Sequence, residues 1–587
     1  MSPMRQVTAP YTGATNEPLI PPVAWNLSTE TALWIGLAVA AFATRLWRLD
    51  LAPLSNAEAR YALDSLNVLR GGAVSTANPL LASVQTIVMA VFGASDFSVR
   101  LPSALAGAVL CILPAALRHE TGKRQALVFS ALLILSPALQ YASRQASGGI
   151  LAWTFALWAF LNWRRGQRVS MAVAAGLLLA CGQDAVTPLL VVSAGAALTL
   201  LAQHRRVISI GLSPTHLVIA GAIFVAATTA VLWRPSGLGD SFNGFAAWWS
   251  SLFAGGSLGL LRVFAGLSFY ETLLIGSAAA GVMILLVQRK PRLLDTGWLS
   301  FIAVGMLLLV VNGSRTVADI APILIGCAGS GAAAWAALWQ SYQRHIEPLW
   351  SEGIVITVTL LMLVYAYLGL TMFAEQQQSA YLVSIFLAVL MIAGTGIICT
   401  LLLDGMAAIR GINTAIGIGL LVYTISVGYH LTQVRTTNPA EAYVSDASSD
   451  GLPLLVKTIE DTGIRAYSGA HAMPLQVSDA APAALRWTLR DQRNITYVAK
   501  LTDSPAALTP INEKPESTSA YIGSAFRITN TASLNELGCQ SAVMGINQFD
   551  CPPLLRWLIR RTLDERIVTR WVLWLRSDTA SRASGMH

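Results

Sequence analysis

Apolar runs such as TALWIGLAVAAFA, HLVIAGAIFVAATTAVLW, IVITVTLLMLVYAYLGL and YLVSIFLAVLMIAGTGIICTLLL approach or exceed the ~20 residues that a helix needs to cross a bilayer. A backbone in hydrocarbon must satisfy its own polar groups, so such runs fold as helices that face lipid or bundle together. Composition agrees: 54% of the 587 residues are hydrophobic, 12% are charged and the mean hydropathy is +0.57, more apolar surface than a soluble fold can hide. The chain therefore reads as a polytopic α-helical membrane protein over residues 29–432. A polar, Pro-rich tail at residues 1–28 precedes this part, and a small soluble α/β domain at 433–587 follows it. The polar start lacks the basic, apolar and small-residue order of a cleaved signal peptide, so insertion is expected to begin with the first membrane helix.

A net charge of +8 and a pI near 9.3 raise the question of a nucleic-acid partner. The basic residues, however, sit in short turns between apolar runs, where they report membrane topology. The short apolar segment at residues 79–92 decides the count. If it spans, Arg118, Lys123 and Arg124 fall outside. If it lies at the interface, the turns holding Arg164, Arg165 and Arg168, then Arg205 and Arg206, then Arg289, Lys290 and Arg292, and later Arg344 and Arg410, all fall inside. The consistent solution has about thirteen membrane helices in the cell membrane, a cytoplasmic N-terminus and an extracytoplasmic tail domain. Outward loops then lie at residues 50–100 and 234–269, with short outward turns near Arg144, Asp184 and Arg315. Trp248 and Trp249 suit an interfacial aromatic belt in the second of these loops.

In the tail, hydropathy falls and the pattern becomes mixed, with an amphipathic helix expected at Leu452 to Asp461 and strands at Ile464 to Tyr467, Ile495 to Ala499 and Trp571 to Leu575. Cys111, Cys181, Cys327 and Cys399 lie inside apolar runs and read as small buried hydrophobes. Cys539 and Cys551 fall in the tail, in an oxidising compartment by this topology, and are expected to pair as a disulfide. The seven histidines form no HExxH pattern or close pair, and no GxxxxGK[ST] sequence is present, so neither a histidine metal site nor ATP hydrolysis is expected.

The first outward loop reads RLWRLDLAPLSNAEARYAL, then the short apolar segment, then FGASDFSVR and LPSALAG. This order resembles the GT-C fold membrane glycosyltransferases of the protein O-mannosyltransferase and aminoarabinose transferase type, which carry a DEARYA-like first loop and an RLPSALAG-like next helix. SPALQYASR at Ser136 to Arg144, RPSGLGD at Arg234 to Asp240 and FYE at Phe269 to Glu271 extend the likeness. In the tail, LRWTLRD at Leu485 to Asp491 and WVLWLR at Trp571 to Arg576 are similar to segments of the narrower flippase-activity-associated membrane protein group.

The resemblance implies a hexosyl-type transferase that uses a polyprenyl-phosphate sugar, with an outward-loop carboxylate as base or as ligand to a divalent metal. This sequence departs from the pattern where that chemistry resides. Ala57 stands at the first expected aspartate and Gly149 at the second, while GQD at Gly182 to Asp184 replaces a TKE-like string and its cation. Glu58 is the candidate substitute base, although neighbours on a helix point ~100° apart. Arg60, Tyr61, Asp64, Arg144, Asp184 and Asp240 are the candidate substrate-binding residues, Arg144 as a partner for a lipid phosphate. No cofactor is evident, and a metal is expected only if the outward acids converge. The favoured reading is a degenerate, non-catalytic homologue, a pseudoenzyme binding lipid or partner membrane proteins. An active transferase is the alternative, and a secondary transporter the least favoured, since no repeated halves are seen and mid-helix ionisable residues are sparse.

Overall fold

The computed structural model describes residues 28–72, 74–203, 213–231, 234–256, 258–287, 293–343, 349–376, 378, 380–402, 405–516, 519–531, 557–562 and 567–584. Most of the N-terminal tail, the basic residues Arg205, Arg206, Arg289, Lys290, Arg292 and Arg344, and the Cys539–Cys551 pair lie outside these residues.

The membrane part begins with α1 (Thr29–Leu46), then α2 (Asn56–Leu69) and α3 (Pro79–Phe92) in the first loop, and α4 (Asp96–Ile112). There follow α5 (Lys123–Leu135), α6 (Pro137–Ser143), α7 (Gly148–Arg164), α8 (Arg168–Leu179), α9 (Gln183–Ala202) and α10 (Pro214–Thr228). The second loop holds α11 (Gly237–Ser251) and α12 (Leu260–Tyr270), and the bundle closes with α13 (Thr272–Val287), α14 (Leu293–Val311), α15 (Ala321–Gln343), α16 (Leu349–Gln376), α17 (Ala380–Leu402) and α18 (Gly405–Tyr429).

Among the described residues seven helices are long and apolar enough to cross a membrane, or nine if each of two bent pairs counts as one span. The chain is thus multi-pass, and the expected thirteen helices exceed what length and apolarity establish. The α5–α6 pair bends by 65° and the α12–α13 pair by 77°. The first bend follows from sequence, because Pro137 lacks the N–H that would continue α5 and is suited to the first position of a new helix. At the second bend Glu271 sits between the halves, and its Oε1 accepts from Ser136 Oγ at 2.8 Å and the Ala138 N–H at 2.7 Å. The two breaks therefore hold each other.

The tail forms a six-stranded mixed sheet, β1 (Ala447–Ser448), β2 (Leu475–Ser478), β3 (Ile495–Val498), β4 (Ala506–Pro510), β5 (Tyr521–Thr531) and β6 (Ile567–Arg576), in the order β1-β5-β6-β4-β2-β3. The β2 strand pairs in parallel with β3 and β4, while β6 runs antiparallel between β4 and β5. Helices α19 (Gly451–Tyr467), α20 (Ala483–Thr488) and α21 (Ser577–Ser584) complete it. Ile464 to Tyr467, expected as a strand, is instead the last turn of α19. Leu452, Leu455, Ile459, Thr462 and Gly463 continue one buried stripe at helical spacing, and the helix stops only at Ser468 in the left-handed region, φ 56°.

The tail and the first loop share one core. Leu54, Ala59, Ala62, Leu66 and Val99 pack in the same apolar cluster as Leu485, Trp487 and Leu489. The Trp487 indole N–H donates to Asp96 Oδ1 at 2.7 Å, while the Arg490 guanidinium stacks 4.2 Å over the Trp487 ring and donates to the Ala94 carbonyl. LRWTLRD is thus the latch that fastens the tail to the FGASD turn.

Candidate functional site

Ser55 caps α2: its hydroxyl accepts the Glu58 N–H while the Glu58 carboxylate accepts the Ser55 N–H, a reciprocal capping box. The 3.6-residue repeat then divides the motif. Ala57, Arg60, Tyr61 and Asp64 fall at i, i+3, i+4 and i+7 on one face, with Ala57 and Arg60 exposed and Tyr61 and Asp64 half-buried. Glu58 turns the other way, 4% exposed, into the protein.

There it meets Arg100 in a two-pronged ion pair, Nε to Oε1 and Nη2 to Oε2 both at 2.8 Å, and also accepts the Ala146 N–H at 2.9 Å. Burial alone would raise the carboxyl, but the Arg100 guanidinium and the Ser55 and Ala146 N–H groups outweigh it and hold it below its ordinary range. Arg100 donates further to the carbonyls of Leu49, Ala52 and Pro53. So engaged, Glu58 ties the first loop to α4 and has no idle lone pair facing a groove. A cavity of about 50 Å³ lies beside it, lined also by Tyr141, Arg144 and Asp446.

Arg144, the candidate partner for a lipid phosphate, donates to the carbonyls of Arg45, Trp47 and Arg48 at 3.2, 2.8 and 2.8 Å. It satisfies the orphan carbonyls at the end of α1, a normal use of an arginine at a helix C-terminus.

The open face of α2 looks toward two further acids. Asp240 is 5% exposed, pairs with Arg234 and accepts from Ser75 Oγ at 2.8 Å. Arg234 also donates to the Val74 carbonyl, so RPSGLGD clamps the strand of chain that leads into α3. Asp64 feels both: burial, with Asp240 adding and Arg234 opposing, pushes its carboxyl up to about 6. Asp184 accepts from Asn78 Nδ2 at 2.6 Å, and burial together with the Asp184 and Asp64 charges drives the Tyr61 phenol upward. Tyr61, Asp64, Asp184 and Asp240 therefore share one electrostatic neighbourhood, from which Glu58 and Arg144 are excluded. Among the described residues, no three acids, histidines or cysteines stand close enough to hold a metal ion.

The second position at which the resemblance places an acid is closed sterically in this chain. A Cβ on Gly149 would lie 2.5 Å from the Cβ of Ala318, and one on Gly148 would strike Asn78 and Asp184. The start of α7 packs too closely against Ala318 for residue 149 to carry a side chain without a shift. Sequence reasoning missed Asn78, Arg100, Arg234 and Ala318. Arg100 and Arg234 stand inside quoted motif fragments, but their partners are 42 residues away and six residues away respectively, and only the fold reveals which acid each holds.

Residues 76–233, about a quarter of the chain, match the family model described as dolichyl-phosphate-mannose-protein mannosyltransferase. No curated protein matches. Among solved structures, ArnT from Cupriavidus metallidurans bound to undecaprenyl phosphate is 18% identical, with a TM-score of 0.48 over 80% of this chain and 85% of that one. Its apo form gives a TM-score of 0.47 at the same identity and coverage. The narrower flippase-associated group is not reached by these matches. At the broader level the motif reading holds: this multi-pass chain is similar to the GT-C fold membrane glycosyltransferases.

Proposed function

We propose that this chain keeps the scaffold of a GT-C glycosyltransferase and has lost its transfer chemistry, serving as a non-catalytic subunit that binds a polyprenyl-phosphate lipid or a partner protein in a membrane complex. In this reading it lies in the cell membrane, N-terminus inside, with the domain at residues 433–587 on the extracytoplasmic side. The observation that carries the reading is at residue 149, where the expected acid is absent and its space is filled by Ala318. Ala57 supplies no carboxylate, and Glu58, the nearest acid, is consumed by Arg100. The exposed Arg60 beside Tyr61 leaves a cation and a hydroxyl on the open face, suited to a lipid phosphate.

One observation favours the alternative, an active transferase. Asp64 lies on the same face as residue 57, and a carboxyl titrating near 6 can exchange a proton close to neutral pH. The experiment is binding of a polyprenyl phosphate to the full chain in nanodiscs, read by native mass spectrometry. The proposal expects retention that weakens several-fold in Arg60→Ala and is unchanged in Asp64→Asn. Absence of retention together with absence of any co-purifying membrane protein would remove it.

A further inference from the structure

Glu271 joins α12 to α13 and is 0% exposed. The Ser136 hydroxyl and the Ala138 N–H occupy its Oε1, two donors suited to an ionised carboxylate. Its Oε2 is buried and meets no hydrogen-bond partner. No lysine, arginine or histidine among the described residues pairs with Glu271. The arginines of the adjoining tail junction are committed elsewhere: Arg262 donates to the carbonyls of Pro439 and Val444, and Arg561 lies beside Glu441 and over the Tyr270 ring. A carboxylate this deeply buried without a counter-charge is penalised by desolvation, and an added cation offsets that penalty.

A second buried polar group without a partner stands in the same junction. Tyr443, the tail residue that packs on α12, is 1% exposed, and its hydroxyl makes no hydrogen bond. A Cβ on Gly266 would lie 2.8 Å from that hydroxyl oxygen, and the Tyr443 ring centroid is 5.3 Å from that of Tyr270, the residue before Glu271. Burial and then the Glu271 charge push the Tyr443 phenol up, which marks the two groups as electrostatic neighbours. The two helix breaks also leave carbonyls at the ends of α5 and α12 outside helical bonding, those of Leu135 and Tyr270 among them.

We propose that Glu271 Oε2 and the Tyr443 hydroxyl oxygen hold a monovalent alkali cation, with carbonyls of the broken helices as its remaining ligands, and that this ion ties both breaks to the tail domain. One carboxylate among neutral oxygens balances a single positive charge, and unwound helix ends supply carbonyls of the kind that coordinate Na+. A divalent ion would keep an excess charge here, because no second acid joins Glu271 among the described residues. The site lies apart from the open face of α2, so it stands whether or not the proposed function does.

The test is equilibrium binding of radiolabelled Na+ to the full chain in nanodiscs, with choline chloride holding the ionic strength constant, alongside thermal unfolding in sodium chloride and in choline chloride. Wild type is expected to show a saturable Na+ site absent from empty nanodiscs and a higher unfolding temperature in sodium chloride. Glu271→Gln keeps an oxygen for Ser136 and Ala138, and is expected to lose both the bound Na+ and the difference between the two salts. Tyr443→Phe removes one ligand and is expected to weaken Na+ binding roughly tenfold. Absence of saturable Na+ binding in wild type, binding retained in Glu271→Gln, or an affinity unchanged in folded Tyr443→Phe would each overturn the proposal. Stability that ignores Na+ yet shifts in Glu271→Gln would assign a proton to Glu271 and overturn it as well.

Discussion

A larger side chain at residue 57 and one at residue 149 would meet different surroundings. Ala57 is exposed on the first turn of α2, whereas a Cβ at Gly149 drives into Ala318. Ala57→Asp is therefore expected to leave stability within about 0.5 kcal/mol, and Gly149→Ala to cost about 1–3 kcal/mol by overpacking. Ala318→Gly should recover part of that loss in the double variant; thermal unfolding of the four proteins checks both statements. Glu58→Gln leaves Arg100 buried without its counter-charge and is expected to cost about 3–5 kcal/mol. That cost should fall on unfolding, with ligand retention in folded protein unchanged. Asp64 gives a pH signature. Its carboxyl moves from an ordinary 3.8 to about 6 on folding, so the folded state holds the proton more tightly and stability declines as pH rises through that interval. Asp64→Asn should make the unfolding midpoint flatter between those pH values, and an unchanged slope would contradict the assignment.

At the scale of elements, the motif fragments turn out to be joints between helices. Glu58 of NAEARYA holds Arg100, Arg144 of SPALQYASR closes the end of α1, Glu271 of FYE ties the two helix breaks, and Arg490 of LRWTLRD grips the FGASD turn. Trp487→Ala removes a side chain 1% exposed from the core shared by tail and loop and is expected to cost about 3–5 kcal/mol. Asp96→Asn keeps an acceptor for the indole and should cost far less. Limited proteolysis, faster in the tail of the tryptophan variant alone, measures the difference. These joints explain what could be read from the sequence. Apolar runs announced the helices, and Leu452 to Asp461 announced α19, because periodicity and hydropathy are local. Ile464 to Tyr467 misled because a short run with a β-branched residue suits either state until its neighbours are known. The partners of Glu58 and Arg144 were illegible for the same reason: each is reached across 42 and about 100 residues of chain.

Across the whole molecule, the motif fragments join the elements of the scaffold, while residues 57 and 149 carry no acid. The open face of α2 retains Arg60, Tyr61 and Asp64 near Asp184 and Asp240, and the tail domain is fastened over the neighbouring loop through Trp487 and Arg490. A binding role needs that scaffold and an accessible cation; transfer needs in addition a carboxylate placed on the acceptor or on a metal. The most direct test is sugar transfer by the full chain in nanodiscs, supplied with a polyprenyl-phosphate sugar donor and a divalent cation, in wild type, Asp64→Asn and Asp184→Asn. The account predicts product at the level of empty nanodiscs in all three. Product above that level in wild type, falling in either variant, would contradict it and restore the transferase.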